Sequence, residues 1–358
     1  MAHLTMEGLS KQYGKTVYAV RELTLEVRKG ETMVLVGPSG CGKTTTLRMT
    51  AGLEIPTAGR VLFGDRDVTN LPPEKRGVGM VFQNYALFAN MTVAENIAFG
   101  LEMRGTSRDR IRSQVVAMMK MMEITELATR KPAQLSGGQQ QRVAFARALA
   151  IEPEYLLLDE PLTALDAKLR DSLRVELGRL LRELSITTLY VTHDLTEAMV
   201  LGDRIAVMND GQIQQCDTPR EIYHNPANAF VAGFIGRTNC FRGMMKTSAG
   251  DGMAVDLGFA TLPISSDPGA REVVVIFRPE DLRIAAPGEQ PHFVVTFTDV
   301  LFLGARVRGI GRLAGGEEIL VDLDNDVRVS SGDTVGFCIA PGKIVVRSAG
   351  RNVEGDSA

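Results

Sequence analysis

The segment Gly37-Pro38-Ser39-Gly40-Cys41-Gly42-Lys43-Thr44 fits the pattern G-x-x-x-x-G-K-[ST]. It follows an apolar run and opens a helical pattern, the setting in which that string binds phosphate. Glycines let the main chain curl so that several N–H groups point at phosphate oxygens, and a helix N-terminus adds a favourable dipole. Lys43 is expected to reach the β- and γ-phosphates, and Thr44 to place its hydroxyl on Mg²⁺. Cys41 reads as a small space-filler, although the neighbouring amides and Lys43 favour a thiolate and hence ready alkylation. Further on, Tyr155-Leu156-Leu157-Leu158 ends abruptly in Asp159-Glu160-Pro161, which puts two carboxylates where α/β sheets bind ligands. Adjacent strand residues point to opposite sides. Asp159 is therefore assigned to a metal, and Glu160 to orienting and deprotonating an attacking water. Taken alone, the pair reads equally well as a solvated acidic turn; the phosphate loop upstream weighs against that. Leu135-Ser136-Gly137-Gly138-Gln139 opens a helical pattern running to Leu149. Its free N–H groups suit a second anion site, but alone it is an ordinary helix start.

These residues need elements to hold them. Residues 1 to about 235 alternate short β-rich runs with helical patterns, an α/β domain on a largely parallel sheet. Buried strands are expected at Thr32 to Val36, Tyr155 to Leu158 and Thr188 to Val191. Between the first two, Ile111, Val115, Met118, Met119 and Met122 share one helical face, with Arg112 and Gln114 opposite. That predicts a helical insertion with a packed inner face, within a helical subdomain of about 84–150; the methionines would alternatively suit a docking surface. The composition shifts near His224 to Asn239, punctuated by Pro226, Gly233 and Gly236, and the domain boundary is placed there. Beyond it, Val273 to Phe277, Phe293 to Thr298, Ile319 to Leu323 and Lys343 to Val346 are short strand-like runs between turns. A small all-β barrel over 236–350 is expected, with residues 351–358 as a mobile tail.

The 358 residues accommodate two domains, and 44% hydrophobic content fills both cores. A net charge of −3 gives no global reason to expect nucleic acid. Cys41, Cys216, Cys240 and Cys338 lie far apart with no metal-ligand spacing and no secretory leader ahead of them, so reduced thiols in a cytoplasm are expected. No run approaches the roughly 18 apolar residues of a membrane helix. If membranes matter, another protein supplies the span.

Together, these motifs closely resemble the ATP-binding cassette family, which combines the phosphate loop, a lone glutamine, the Leu-Ser-Gly-Gly-Gln signature, the acid pair and a histidine in that order. The resemblance covers the first domain and implies a P-loop NTPase cassette. Gln83 in Val81-Phe82-Gln83-Asn84 matches the glutamine that contacts Mg²⁺ and the attacking water. His193 in Val191-Thr192-His193-Asp194 matches the γ-phosphate-sensing histidine. Tyr13 matches the aromatic that stacks on adenine, with Tyr18 nearby. The implied nucleotide set is thus Tyr13, the loop from Gly37 to Thr44 with Thr45, and Ser136, Gly137, Gly138 and Gln139. Alone, Gln83 would be a turn residue, Tyr13 a core or edge aromatic, and His193 a helix-start residue beside the possible capping box Asp194-x-x-Glu197; their joint order overturns those readings. The family mechanism implies a homodimer in which each ATP is sandwiched between the phosphate loop of one copy and the signature of the other. Asp166 matches the loop that couples the two sites, and Thr163 stands where serine is more usual.

Only 93 positions separate Lys43 from Ser136, too few for the long coiled coil of DNA-repair relatives, and translation-factor relatives carry two cassettes. Phe277-Arg278-Pro279-Glu280-Asp281-Leu282 and Val300-Leu301-Phe302-Leu303-Gly304 resemble the OB-like accessory barrel (TOBE type) of importer ATPases. The resemblance implies the ATP-hydrolysing subunit of a bacterial importer, peripheral on the cytoplasmic face of the inner membrane. It would work with integral permease subunits and, indirectly, an extracytoplasmic solute-binding protein, without nucleic acid. The signature helix resembles that of polyamine, iron and phosphonate importers more than sugar importers, which more often place arginine at the Gln140 position. A soluble cassette regulator without a permease is the other class in view.

Overall fold

The computed structural model describes residues 3–14, 16–163, 167–247, 253–264, 267–340 and 342–349. Asp166 and the 351–358 tail lie outside them. Two compact units divide the chain, Met1–Pro219 and Arg220–Ala358.

In the first unit, strands β1 (Leu4–Tyr13) and β2 (Val17–Val27) pair antiparallel. After the phosphate-loop strand β3 (Thr32–Val36) and helix α1 (Lys43–Ala51), β4 (Ala58–Phe63) and β5 (Arg66–Asp67) join them, in the order β2-β1-β4-β5. The second sheet is built from β3 with β6 (Val78–Val81), β7 (Tyr155–Asp159), β8 (Thr187–Val191), β9 (Arg204–Asn209) and β10 (Gln212–Asp217). Its order is β10-β9-β3-β8-β7-β6, parallel except for the β10 edge. Every residue of β3, β7 and β8 is buried, as expected for continuous apolar runs covered on both faces. The three strands expected from sequence are present, β7 and β8 each one residue longer.

Between β6 and β7 lie α2 (Val93–Met103), α3 (Arg108–Met121) and α4 (Gly137–Ala150), the expected helical subdomain. Val115, Met118, Met119 and Met122 are buried, Ile111 is half-buried and Arg112 is exposed, so this face packs inward as its spacing predicts, whereas Gln114, expected opposite, is half-buried and donates to the Ala150 carbonyl. α5 (Ala167–Leu184) precedes β8, and α6 (Leu195–Leu201) follows it.

The second unit begins at Arg220, sixteen residues before the start at 236 expected from composition. Its first helices, α7 (Pro219–His224) and α8 (Ala229–Ile235), belong to it because the buried Arg278 guanidinium donates to the Tyr223, Ala232, Gly236 and Arg237 carbonyls. Ala232 also packs on Val274 and Ile276. Strands β11 (Asn239–Thr247), β12 (Met253–Asp256), β13 (Thr261–Ile264), β14 (Glu272–Phe277) and β20 (Val345–Ser348) form one antiparallel sheet. Strands β15 (Leu282–Ile284), β16 (Phe293–Phe302), β17 (Arg306–Arg312), β18 (Glu318–Asp324) and β19 (Thr334–Ile339) form the other. The expected small all-β barrel is thus two five-stranded sheets closed on one core, in which Val275 and Phe277 meet Phe293, Phe297 and Phe337.

Candidate active site

The parallel run β3-β8-β7-β6 sets four carboxyl ends side by side, and each leads into one of the motifs. β3 ends at the phosphate loop, β8 at Thr192-His193, β7 at Asp159-Glu160 and β6 at Phe82-Gln83. Ligands bind at this edge in open α/β sheets.

The loop after β3 has no room for side chains where it is tightest. A Cβ on Gly37 would lie 2.3 Å from the Met208 carbonyl oxygen and 2.5 Å from Cys41 Sγ, and one on Gly42 2.2 Å from the Ala19 oxygen. Gly42, at φ 103°, is the N-cap of α1 and supplies no side-chain acceptor. The first-turn N–H groups are thereby left to a ligand or water. Lys43 is buried, and its Nζ donates to the Gly37 carbonyl at 2.7 Å and the Pro38 carbonyl at 3.0 Å. An ammonium so placed curls the loop around itself and can exchange carbonyls for phosphate oxygens. Cys41 fills space as its sequence reading has it, and the ready alkylation is what the structure opposes: the thiol is buried, and burial pushes it above its ordinary range despite the opposing Lys43 charge. A neutral packed thiol is not a ready nucleophile.

Thr44 Oγ1 lies 3.4 Å from Asp159 Oδ1. Burial raises the Asp159 carboxyl above its usual range, the Glu160 charge adds to this, and Arg48, Thr44 and Lys43 oppose it. A buried carboxylate beside a hydroxyl suits a cation, and two hard oxygens completed by phosphate oxygens and water are what Mg²⁺ takes. No cluster of three or more acids, histidines or cysteines able to hold a metal occurs among the described residues. The Thr44 hydroxyl and Asp159 carboxyl suit a cation whose other positions a nucleotide and water fill.

Glu160 leaves the strand in the left-handed region, φ 46°, which is costly for a residue with a Cβ. Its N–H donates to the Val191 carbonyl at 2.9 Å and its carbonyl accepts from the Thr163 N–H at 3.3 Å. This turn separates the partners of the two acids. Glu160 Oε2 accepts from Gln83 Nε2 at 3.2 Å and Thr163 Oγ1 at 3.3 Å, and stands 3.0 Å from His193 Nδ1. Gln83, Thr163 and His193, far apart in sequence, thus meet on one oxygen. Thr163 was noted in the sequence only as a replacement for serine; its bond to Glu160 was not foreseen.

Ser136 and Gly137 at the start of α4 are exposed, and Ser136 and Gln139 form a reciprocal capping box. Among the described residues no hydrogen bond or ion pair joins them to the phosphate loop or to Glu160. Tyr13 and Tyr18 are both half exposed, on opposite faces of the β1–β2 hairpin, with Lys11 Nζ over Tyr13 and Arg21 over Tyr18. Neither lies in the core, which leaves a ring face open for stacking.

Behind His193, the expected capping box is only half made. Asp194 caps α6, accepting from the Thr196 and Glu197 N–H groups, but Glu197 turns inward and accepts from Tyr190 and Thr192. Arg170 and Arg174 of α5 pair with Asp194.

Fold and site together define a P-loop nucleotide-hydrolysing cassette carrying a β-barrel-like accessory domain. Residues 20–163 match the family model for the ABC transporter and residues 275–346 that for the TOBE domain. The chain is 45% identical over 347 residues to the spermidine/putrescine import ATP-binding protein PotA of Thermobifida fusca, covering 93% of this chain and 90% of the relative. It is 48% identical over 311 residues to the trehalose/maltose import ATP-binding protein MalK of Thermococcus litoralis, covering 81% and 82%. Among solved structures, a dimeric post-hydrolysis state of the ATP-binding cassette MJ0796 bound to ADP and Pi aligns with a TM-score of 0.54 and 34% identity, over 61% of this chain and 99% of that one. The chain belongs to the ABC transporter family, among its import ATP-binding proteins. It is an ATPase, the ATP-hydrolysing subunit of an importer. Such subunits act as dimers with membrane permeases. No helix among the described residues is long and apolar enough to cross a membrane.

Proposed function

We propose that this chain binds ATP with Mg²⁺ at the phosphate loop and hydrolyses it with Glu160 as general base, driving uptake of a polyamine. The observation that carries the catalytic assignment is the convergence of Gln83, Thr163 and His193 on the Glu160 carboxylate, next to Asp159 and Thr44. The N–H groups of the loop from Gly37 to Thr45 and the Lys43 ammonium hold the phosphates, and Tyr13 stacks on the adenine. Thr44, Asp159 and Gln83 hold Mg²⁺, which when bound neutralises charge developing on the transferring phosphoryl group. Glu160 takes the proton of the attacking water while Gln83 orients it, and His193 senses the terminal phosphate.

Ser136, Gly137, Gly138 and Gln139 at the start of α4, of which Ser136 and Gly137 are exposed, serve the nucleotide of a second copy, so each ATP is enclosed by two chains. Beside Gln83, a groove of about 390 Å³ lined by Phe82, Phe88, Phe99 and Arg147 suits an apolar segment of a permease on the cytoplasmic face of the membrane. Arg147 donates to the Tyr85 and Ala86 carbonyls at 2.7 Å each, so this wall moves with the signature helix. Closure of the dimer is thereby passed to the permease.

The polyamine reading rests on the similarity to spermidine/putrescine import proteins along most of the chain. A sugar importer is the second reading, favoured by the similarity to sugar-uptake ATP-binding proteins. Isolating E160Q with ATP from gently solubilised source cells, and reconstituting the permease that accompanies it, separates the two. ATPase activity of the native complex stimulated by spermidine or putrescine supports the first, and stimulation by a sugar overturns it. E160Q itself is expected to bind ATP and accumulate as a dimer without turnover; turnover at the native rate removes Glu160 from the base role.

A further inference from the structure

The residues around His193 form a built support that hydrolysis of ATP does not by itself require. Glu197 is 1% exposed, yet it is a carboxylate on a short helix at the mouth of a parallel sheet. Its Oε2 accepts from Tyr190 Oη at 2.8 Å and Thr192 Oγ1 at 2.7 Å, and both donors come from residues that are wholly buried. Thr192 Oγ1 in turn accepts from the Asp194 N–H at 3.0 Å, the donor that a complete capping box would have given to Glu197. The chain Glu197, Thr192, Asp194 N–H therefore clamps the backbone on both sides of His193. Asp194 is gripped from α5 by Arg174 at 3.4 Å. The His193 side chain is half exposed, and among the described residues its one hydrogen-bond partner is Glu160. An imidazole held so lightly by its own contacts takes its place from its backbone.

Burying a carboxylate is expensive, and burial pushes Glu197 above its ordinary range while the Thr192 and Tyr190 hydroxyls pull it back. A leucine would fill the same space without that cost. What leucine cannot do is fix the Thr192 hydroxyl, and with it the Asp194 N–H. We propose that Glu197 is a positioning residue for ATP hydrolysis, acting through Thr192 to hold His193 against the Glu160 carboxylate. The proposal rests on the role given above to His193.

The test uses the full-length protein and the variants E197A, E197Q and T192V, each alone and combined with H193A. Folding is checked by thermal melting and by binding of a fluorescent ATP analogue. E197A and T192V are expected to lower kcat by about 10- to 100-fold, the scale of a small misplacement at a reacting centre, with KM for ATP nearly unchanged. E197Q keeps an acceptor for both hydroxyls and is expected to recover most of the loss. T192V keeps the volume of the side chain and guards against a folding defect in E197A. In the H193A background, where slow residual turnover is followed over hours with radiolabelled ATP, E197A and T192V are expected to change nothing further. Loss by the same factor with and without His193, or native kcat in folded T192V and E197A, overturns the proposal. Native turnover by H193A alone instead sinks the role of His193, a distinguishable outcome.

Discussion

Asp159 shows what burial and a neighbouring carboxylate do to one carboxyl. Its pKa is raised in the fold, so the ionised form is the disfavoured one. The cost appears as pH rises above the ordinary aspartate value near 4 and is relieved by protonation or by a cation. D159N is therefore expected to raise the melting temperature of the nucleotide-free protein at pH 7 by a few degrees while lowering ATPase by more than about 100-fold. A drop in the melting temperature would mean that the charge is already compensated. Asp322 is the opposite case. Burial acts to raise its carboxyl, but hydrogen bonds from Arg308 at 2.7 and 2.8 Å and from Arg306 at 2.8 Å outweigh it and hold the value low. Its contribution is complete above the ordinary aspartate value and is lost as pH falls through the lowered one. D322A leaves Arg308 partly buried without a partner and should cost about 3 kcal/mol at pH 7, a loss that denaturant titration would show shrinking in acid.

At the scale of elements, the segment joining β6 to α2 is held by side chains as well as by its own backbone turns. Tyr85 and Ala86 both sit at positive φ, 60° and 46°, and Arg147 holds their carbonyls. Asn96, wholly buried on α2, accepts from the Phe88 N–H and donates to the Phe88, Met91 and Thr92 carbonyls. N96A takes the side-chain partner from the Phe88 N–H and the Met91 carbonyl, while the Phe88 and Thr92 carbonyls keep the Met91 and Asn96 backbone N–H groups, and it is expected to cost about 2 kcal/mol. Because that loop leads from Gln83 to the apolar groove, the same variant should uncouple transport from ATPase in a reconstituted complex. Retained stability and coupling would show that the loop does not need the clamp.

For the whole molecule, the exposed Ser136 end of α4 and the phosphate loop imply a site completed by a second copy. K43A and S136R should each be inactive as homodimers, for opposite halves of the site. Mixed together, half the dimers pair a native loop with a native signature at one of two sites, so activity should return to about a quarter of native by that symmetry. No recovery on mixing, with heterodimers demonstrated, would mean that one chain holds a complete site or that both sites must work together.

Sequence alone determined the parts whose chemistry is local. The phosphate loop is legible because only glycine fits at positions such as Gly37 and Gly42 and because a strand and a helix must flank it. β3, β7 and β8 are legible as unbroken apolar runs, and the inner face of α3 from its spacing. Tertiary structure decided what distance in the chain conceals. The order β3-β8-β7-β6 is not the order of the strands in sequence, and it puts the strand that leads to His193 between those that lead to the phosphate loop and to Asp159. The left-handed turn at Glu160, which gives the two acids different partners, appears in no propensity of glutamate. Cys41 read as a small space-filler and is one, but the ready alkylation its neighbours suggested is opposed by burial, since a thiol's desolvation depends on packing the sequence does not state. Glu197 read as half of a possible capping box and instead turns inward; it, Asn96 and Arg147 acquire their roles from the partners that folding brings to them.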